Sequence, residues 1–385
     1  MTMVLGVVGG GQLARMTALD AVRLGVEVRV LAGAADEGVR GLLPVVDGAH
    51  DDPDALRRLA SQVDVVTFDH ELVPLEAIRE LEAAGTVVRP SSAALAFADK
   101  VHQRTAFAAA GLPVPPFATV TSAADVAAFA DAHGWPVVLK APHGGYDGRG
   151  VAIAADAAGA EAMLAAAAGR GLLVEPMLAL RQELAVLVVT GVSGERVTYD
   201  PVESVQEEGM CREVHAADGH LPAALAARAT ALAERVADVV GAVGVLAVEL
   251  FLVDGDTADG ADTADTSGGA LLVNEIAPRP HNSGHHTIDG CVTSQFENHT
   301  RAVLGWPLGS PAPRAAASVM VNVVGTDGDP RDRVHLVDDA VKIHLYGKTA
   351  KPGRKIGHVT VVGPDHTKAT AQARAAAALL EGSHE

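Results

Sequence analysis

The chain has 385 residues, more than one ordinary hydrophobic core needs, which predicts two or three domains. Its 30 Lys and Arg residues against 48 Asp and Glu residues give a formal net charge of -18, which disfavours nucleic acid and anionic membranes as partners. Two cysteines without CxxC spacing argue against a disulfide framework, and no apolar run reaches the roughly 20 residues of a membrane span. The first residues lack the cationic region of a signal peptide, so we expect a soluble, cytoplasmic protein.

Short β-rich runs alternate with helix-like stretches over roughly the first ninety residues. The β-rich runs are MVLGVVG, VEVRVLA, DVVTF and TVVRP. This alternation predicts a parallel, doubly wound sheet. Pro90 and Ser91 interrupt it, and the helical pattern SAALAFADKVHQRTAFAAAG then runs to Gly111. We expect a first, Rossmann-like substrate domain at residues 1–103.

A glycine-rich turn follows the first predicted strand. Gly9, Gly11 and Ala14 satisfy the G-x-G-x-x-G/A pattern of dinucleotide-binding folds. The acidic residue that holds the ribose in such folds is missing, because the next predicted strand ends in Ala32 and Gly33. The pattern therefore favours a turn that serves the fold or another ligand, and it disfavours a Rossmann oxidoreductase.

Mixed helix and strand patterns fill residues 104–304, which we assign to a second domain. Between the strand patterns LAVELFLV and GALLVNEIAP lies the acidic segment DGDTADGADTADTSGG. Its spacing lacks the ligand alternation of a calcium loop, so we interpret residues 254–270 as a solvated hairpin insertion. After GWPLG, residues 305–385 form a third, small domain with strand patterns and a closing Ala-rich helix.

A lysine and a glycine-rich stretch follow one strand pattern of the second domain. Lys140 ends the run WPVVLK, and HGGYDGRG occupies residues 143–150. Glycines let backbone amides approach phosphate oxygens, and a lysine at the strand end adds positive charge there. The stretch lacks the G-K-[ST] ending of a Walker A loop, and a hairpin with turn glycines stays an alternative.

Two strand patterns each carry one acid within an apolar run. Glu249 lies in AVEL and Glu275 lies in VNEI. A buried carboxylate needs a partner, and Mg2+ bound to nucleotide phosphates supplies one, since it takes one or two carboxylates plus phosphate oxygens. Two solvent-facing strand positions are the alternative.

Histidines and cations follow the second of these acids. The segment APRPHNSGHH contains Arg279, His281 and Asn282, but its histidines lack the HExxH spacing of a zinc site. Residues 342–358, KIHLYGKTAKPGRKIGH, contain five Lys or Arg residues and no acid. On so acidic a chain this run indicates an anion site, with a solvated basic face as the alternative.

Taken together, these motifs resemble the ATP-grasp superfamily and, within it, the N5-carboxyaminoimidazole ribonucleotide synthetases. The resemblance rests on GGGQLARM, KAPHGGYDGRG, VEPM, VNEIAPRPHNSGHHT, SQFENH and YGKTAKPGRKIGH, which span nearly the whole chain. It implies an α/β fold in which an ATP-grasp domain of two subdomains lies between an N-terminal Rossmann-like (pre-ATP-grasp) domain and a small C-terminal α+β domain. The family pattern also implies a homodimer.

The resemblance assigns roles residue by residue. It implies that ATP is bound by Lys100, Lys140, Gly145, Tyr146, Asp147, Gly148, Arg149, Gly150, Val151, Glu175, Pro176, Met177, Leu178, Glu183, Gln206, Asn274 and Glu275. It implies catalytic roles for Asp147, Arg279, His281, Asn282 and Lys348. It implies that Tyr146, Arg149, Lys348, Arg354 and Lys355 bind the small substrates, and that Glu249 and Glu275 bind Mg2+, with Mn2+ as an alternative.

The implied reaction is the ATP- and bicarbonate-dependent carboxylation of 5-aminoimidazole ribonucleotide in purine biosynthesis, through carboxyphosphate. In this interpretation residues 143–150 close over the site and exclude water. The nearest alternative is another ATP-grasp carboxylate-amine ligase, such as a formate-dependent glycinamide ribonucleotide transformylase or a biotin carboxylase. A noncatalytic nucleotide-binding module is a further alternative, which the four side chains Lys140, Glu249, Glu275 and Arg279 argue against.

Overall fold

The computed structural model describes residues 3–144, 150–167, 171–254, 269–326 and 328–382. The strands are β1 (Val4–Val8), β2 (Glu27–Ala32), β3 (Val45–Asp47), β4 (Val65–Phe68), β5 (Ala118–Val120), β6 (Val137–Lys140), β7 (Val151–Ala154), β8 (Leu172–Pro176), β9 (Leu180–Thr190), β10 (Arg196–Thr198), β11 (Val202–Glu207), β12 (Met210–Ala217), β13 (Gly244–Val253), β14 (Ala270–Ala277), β15 (Ala317–Val324), β16 (Lys342–Leu345) and β17 (Lys355–Gly363).

The α-helices are α1 (Gln12–Arg23), α2 (Pro53–Ala60), α3 (Leu75–Ala83), α4 (Ser92–Leu95), α5 (Lys100–Ala109), α6 (Ala123–His133), α7 (Ala157–Ala166), α8 (Ala223–Val240), α9 (Thr287–Gly290), α10 (Gln295–Leu304) and α11 (His366–Glu381). Short 3-10 helices span Ala96–Ala98, Asn282–Gly284 and Pro330–Leu336. Within these described ranges, no helix combines the length and the hydropathy that crossing a membrane requires.

The first sheet has the order β3-β2-β1-β4, and its paired strands are parallel, as the alternating pattern predicts. The glycine-rich turn leads from β1 into α1, where the amides of Gly11 and Ala14 donate to the Asp69 carboxylate at 2.9 and 2.6 Å. A Cβ at position 11 would lie 2.5 Å from Asp69 Oδ2, so this close approach requires glycine. The turn therefore binds a carboxylate of its own chain, and Asp69 occupies the anion site at the start of α1.

Two local expectations in this region are wrong. The run TVVRP forms no strand of the sheet; it contributes one isolated parallel bridge between Val66 and Val88. The helical pattern after Pro90 is not continuous either, because Asp99 is extended and its side chain accepts from the amide of His102. This cap starts α5 afresh at Lys100 and places that lysine in the first turn of the helix.

A small antiparallel sheet of order β5-β8-β6-β7 follows. One face packs apolar residues such as Val137, Leu139 and Val174 against α6 and α7. The other face carries Lys140 together with Val151 and Leu173, the residues that pair with it on the two neighbouring strands. The polar group that ends β6 therefore points away from the core of this sheet.

The large sheet has the order β14-β13-β9-β11-β12-β15-β17-β16, with β10 paired to β9. Helix α8 packs on β9 and β13, and α11 packs on β15 and β17. The strands continue from the second proposed domain into the third, so the boundary at residue 304 is no break in the sheet and remains a prediction. The acidic insertion joins β13 to β14, which pair out to Val253 and Ala270; its residues 255–268 lie outside the described ranges.

Candidate active site

Lys140 and Asn274 join the small sheet to one edge of the large sheet. Lys140 Nζ donates to Asn274 Oδ1 on β14 at 3.2 Å and lies 2.7 Å from Glu175 Oε2 on β8. It also lies 5.9 Å from the centre of the Phe251 ring on β13. The cleft between the two sheets therefore holds a buried ammonium group.

Glu175 has two cationic partners, Lys140 and Arg104. Arg104 is almost fully buried on α5, and its guanidinium donates to the carbonyl oxygens of Val273 and Asn274 at 2.6 and 2.9 Å. Sequence patterns did not single out Arg104, because an arginine within the mixed polar and apolar sequence of α5, KVHQRTAFAA, carries no motif. The Glu175 carboxylate faces these cations. If Glu175 contacts adenine as the resemblance implies, the contact must therefore come from its backbone.

A β-bulge places two neighbouring residues of β14 on the same side of the strand. Glu275 pairs with Glu249, whereas the next pair along is Val273 with Leu250, so Asn274 is the extra residue. Residues at a bulge escape the strict alternation of a strand. Asn274 contacts Lys140 and Glu249, while Glu275 contacts Lys100, and both side chains therefore serve the cleft.

Three carboxylates crowd this edge of the cleft. Burial, together with repulsion from Glu275 and Glu183, raises the pKa of Glu249 to about 8. Burial also raises the pKa of Glu183. For Glu275 burial acts the same way, but the charge of Lys100 more than offsets it and lowers the pKa. Glu249 and Glu275 are opposite each other on β13 and β14, and two such carboxylates are hard oxygen donors that fit Mg2+.

The described residues contain no preformed group of three or more His, Cys, Asp or Glu side chains that could hold a metal ion. A pair of carboxylates is nevertheless what Mg2+ uses when nucleotide phosphates complete its coordination. Lys100 lies within this arrangement at the start of α5. Burial lowers the pKa of Lys100, but its interaction with Glu275 raises the pKa by more, so the net shift is upward. The cleft therefore places two cations beside the carboxylate pair.

An apolar surface borders the charged cluster. Val151 and Ile153 of β7 lie on the same face of the small sheet as Lys140 and are 40% and 61% exposed. Pro176 ends β8, Met177 is half exposed, and Leu178 and Phe251 pack against the same small apolar cluster. A planar apolar ring between the sheets would cover these side chains.

Arg279 forms a bidentate ion pair with Glu71, a residue of the first domain that sequence analysis did not select. The Nε and Nη2 atoms of Arg279 donate to the two carboxylate oxygens at 2.5 and 3.2 Å. Although burial opposes it, the Arg279 charge lowers the pKa of Glu71 to about 2. The pair joins the loop after β4 to the loop after β14 and fixes the orientation of the guanidinium.

We expect Glu71→Gln to destabilise the protein at neutral pH by on the order of 3 kcal/mol, the equivalent of a pKa moved from 4.5 to about 2. A carboxyl group with a lowered folded-state pKa stabilises above pH 4.5 and loses this contribution as the pH falls towards 2. The difference in melting temperature between wild type and variant should therefore be largest at pH 7 and shrink below pH 4.5. Glu76→Gln, at an exposed carboxylate, is the control; equal effects at pH 7 and pH 3.5 would contradict the assignment.

His281 follows β14 and lies beside the carboxylate pair, with its Nε2 atom 3.3 Å from Glu249 Oε1. The backbone amide of Ser283 donates to its Nδ1 atom at 3.3 Å, so the neutral ring carries its proton on Nε2. Burial and the charges of Arg279 and Lys355 lower the pKa of His281 to about 4. The ring therefore faces Glu249 as a neutral N–H donor. Asn282 instead exchanges two amide hydrogen bonds with Asn322, at 3.0 and 2.7 Å.

The basic segment of the third domain meets the first domain. Lys348 contacts Gln12 at the start of α1, and Arg354 Nη1 donates to Glu37 at 2.9 Å. Lys355 begins β17, is buried, and acts electrostatically on His281. Gln12 belongs to the motif GGGQLARM, but neither it nor Glu37 was assigned a role from the sequence, and the contact between distant segments reveals both.

Not every predicted site residue can be placed in the cleft. Gly145, Tyr146, Asp147, Gly148 and Arg149 lie outside the described residues, so their roles stay predictions. Gly150 immediately precedes β7. Gln206 lies on β11, where its amide donates to Ser204 Oγ at 2.9 Å.

Three family models match successive parts of the chain. The family model of the ribonucleotide synthetase preATP-grasp domain matches residues 1–99, that of the ATP-grasp domain residues 105–296, and that of the phosphoribosylaminoimidazole carboxylase C-terminal domain residues 318–372. The N5-carboxyaminoimidazole ribonucleotide synthase of Mycobacterium tuberculosis is 45% identical over 98% of this chain and 87% of its own length. These matches confirm the fold expected from the sequence.

Solved structures agree with the matches in sequence. The N5-carboxyaminoimidazole ribonucleotide synthetase of Thermus thermophilus has a TM-score of 0.84 and 38% identity over 98% of both chains. The N5-carboxyaminoimidazole synthase of Aspergillus clavatus, in complex with ADP and 5-aminoimidazole ribonucleotide, has a TM-score of 0.86 and 31% identity over 99% of both chains. The cleft of cations and carboxylates, the three-part fold and these relatives together show that the chain belongs to the N5-carboxyaminoimidazole ribonucleotide synthase family of ATP-grasp enzymes.

Proposed function

We propose that this chain catalyses the ATP- and bicarbonate-dependent carboxylation of 5-aminoimidazole ribonucleotide to N5-carboxyaminoimidazole ribonucleotide, releasing ADP and phosphate. It is an ATP-dependent carbon–nitrogen ligase of purine biosynthesis. The observation that carries the proposal is one cleft in which Lys100 and Lys140 face the carboxylate pair while Arg279 and His281 lie beside it. The family match favours this reaction over that of a formate-dependent glycinamide ribonucleotide transformylase.

ATP would lie between the two sheets, with its purine ring on the apolar surface of Val151 and Ile153. Lys100 and Lys140 would then bind phosphate oxygens, because Lys140 is paired with Val151 on this face and Lys100 contacts Glu275 of the carboxylate pair. Glu249 and Glu275 would hold Mg2+, with Mn2+ as an alternative. The ion supplies positive charge to the phosphate oxygens.

The reaction consists of two displacements. A bicarbonate oxygen attacks the γ-phosphorus of ATP, the bond to ADP breaks, and carboxyphosphate forms. The amine of the ribonucleotide then attacks the carboxyl carbon, the carbon–oxygen bond to phosphate breaks, and phosphate leaves with that electron pair. The amine loses a proton, for which Asp147 and His281 are the candidate acceptors. The unprotonated nitrogen of His281 is Nδ1, which can accept this proton only after its hydrogen bond from the Ser283 amide breaks.

The small substrates would lie between the first and third domains. Arg279 and Asn282 would bind the carboxyl group, and Lys348, Arg354 and Lys355 would bind the ribonucleotide, since Lys348 and Arg354 contact the first domain while Lys355 and Arg279 both act on His281. Tyr146 and Arg149 would complete this side from the glycine-rich stretch. We further propose a cytoplasmic homodimer that uses neither nucleic acid nor a membrane as partner.

Release of ADP tests the substrate assignment directly. With ATP, Mg2+ and bicarbonate present, adding 5-aminoimidazole ribonucleotide should stimulate ADP release at least about tenfold, because the second displacement drains carboxyphosphate. Formate with glycinamide ribonucleotide is the control pair and should give no stimulation. A rate that does not respond to 5-aminoimidazole ribonucleotide would reject the specific reaction.

A further inference from the structure

Gln295 is fully buried in the first turn of α10, and its side-chain amide pairs with the backbone of His281. The backbone amide of His281 donates to Gln295 Oε1 at 2.9 Å, and Gln295 Nε2 donates to the carbonyl oxygen of His281 at 2.7 Å. His281 is extended, with φ -129° and ψ 156°, so its N–H and C=O groups point to the same side. One amide therefore makes the two-bond exchange that joins a residue pair in an antiparallel sheet.

Two further bonds anchor Gln295 on the same segment. Because the His281 amide must donate to an oxygen, the orientation of the Gln295 amide is fixed, and its second N–H donates to His285 Nδ1 at 3.2 Å. The backbone amide of Gln295 donates to Thr287 Oγ1 at 2.9 Å, and that hydroxyl donates to Gly284 O at 2.6 Å. Side chain and main chain of Gln295 thus both bind the turn that follows His281.

The turn has space for the Gln295 side-chain amide because residue 284 is a glycine. A Cβ at Gly284 would lie 2.5 Å from both Cδ and Oε1 of Gln295, and it would collide with Leu187. Any larger residue at position 284 must displace the Gln295 side chain or the turn itself. Gly284 therefore leaves the space that the Gln295 side chain occupies.

The position of the His281 backbone, which Gln295 binds, determines where the His281 ring can lie. His281 Nε2 reaches Glu249 at 3.3 Å, close to the limit of a hydrogen bond, so a small rotation of the His281 backbone would break the contact. We propose that Gln295 is a positioning residue that holds the imidazole of His281 against Glu249 in the cleft. This inference rests on the role of His281 in the proposed function.

Replacement of Gln295 by methionine removes the amide and keeps nearly the same length. We expect kcat at saturating ATP to fall by about ten- to hundredfold, since a displacement of about 1 Å at a reacting group costs on this scale. The KM for ATP should stay within about twofold, because Lys140 and the apolar surface do not contact Gln295. Gln295→Glu should not rescue kcat, since a carboxylate has no hydrogen to donate to the His281 carbonyl or to His285.

Asn298 provides a matched control on the same helix. It is fully buried, and its amide makes the same two-bond pattern, accepting from Gly309 N at 2.7 Å and donating to Gly309 O at 3.1 Å. Asn298→Leu should lower the melting temperature as much as Gln295→Met does, and it should leave kcat per folded molecule unchanged. Equal losses of kcat in both variants would overturn the positioning role.

Two further measurements separate positioning from a general loss of packing. In the His281→Ala background Gln295→Met should reduce kcat by less than about twofold, whereas a merely structural role predicts the same reduction as in wild type. The Nε2–H resonance of His281 in a 15N-labelled protein reads the ring without any substrate, and Gln295→Met should shift or broaden it. Gly284→Ala displaces the same amide from the other side and replaces Gln295→Met if that variant does not fold. An unchanged resonance with unchanged kcat would overturn the inference, and a shifted resonance without carboxylation activity would fault only the proposed function.

Discussion

Replacing Glu275 by glutamine is expected to reduce turnover by on the order of 10³-fold. The amide keeps the size of the side chain but cannot neutralise Lys100 or contribute a charge to Mg2+. The fold should tolerate the change, because the loss of repulsion lowers the pKa of the opposing Glu249, whose carboxylate can then pair with Lys100. Steady-state turnover as a function of Mg2+ concentration, with a thermal unfolding curve at the same pH, measures both effects.

Glu213→Gln is the control for this prediction. Glu213 is also a strand carboxylate with charged partners, although it is more buried than Glu275; Arg374 binds it at 2.7 Å and His215 at 2.9 Å, and it lies on β12 and contacts α11. Its replacement should lower the melting temperature and leave turnover per folded molecule unchanged. Retention of more than about a tenth of the activity by Glu275→Gln would reject the metal-ligand role.

Single acids in apolar strands were sufficient to select Glu249 and Glu275 from the sequence, because a buried carboxylate needs a partner. The sequence does not reveal why Asn274 contacts the same cleft as its neighbour. That requires the bulge in β14, which depends on pairing with β13, and a shift of one residue moves a side chain to the other face. A bulge is a property of the strand pair and leaves no fixed pattern in either strand alone.

Contacts between distant segments escaped the sequence for a related reason. Glu71 and Arg279 are 208 residues apart, and each belongs to a loop whose course depends on a different sheet. Gln295 lies in the motif SQFENH, which the family resemblance included, yet its partner is the backbone of His281. Backbone partners do not depend on residue type, so no residue pattern could have indicated the contact.

The second large effect is expected for Lys140→Met, which should reduce kcat/KM for ATP by about 10²- to 10³-fold. Lys140 is the buried cation on the cleft face of β6, and methionine fills its volume beside Phe251 without a charge for phosphate oxygens. Loss of Lys140 leaves Glu175 paired with Arg104, so a buried, uncompensated carboxylate is avoided. Calorimetric titration with ATP and Mg2+ should show the loss in binding as well as in turnover.

Arg104→Lys is the contrasting variant, because it changes the other partner of Glu175 and keeps the charge. Arg104 binds the backbone of Val273 and Asn274 through two separate nitrogens, a geometry that a lysine cannot reproduce. This variant should therefore have a lower melting temperature than wild type and retain ATP affinity within about threefold, whereas Lys140→Met should lose ATP affinity. If both variants lost ATP affinity equally, Lys140 would support the cleft through Glu175 alone, and its direct contact with phosphate would have to be abandoned.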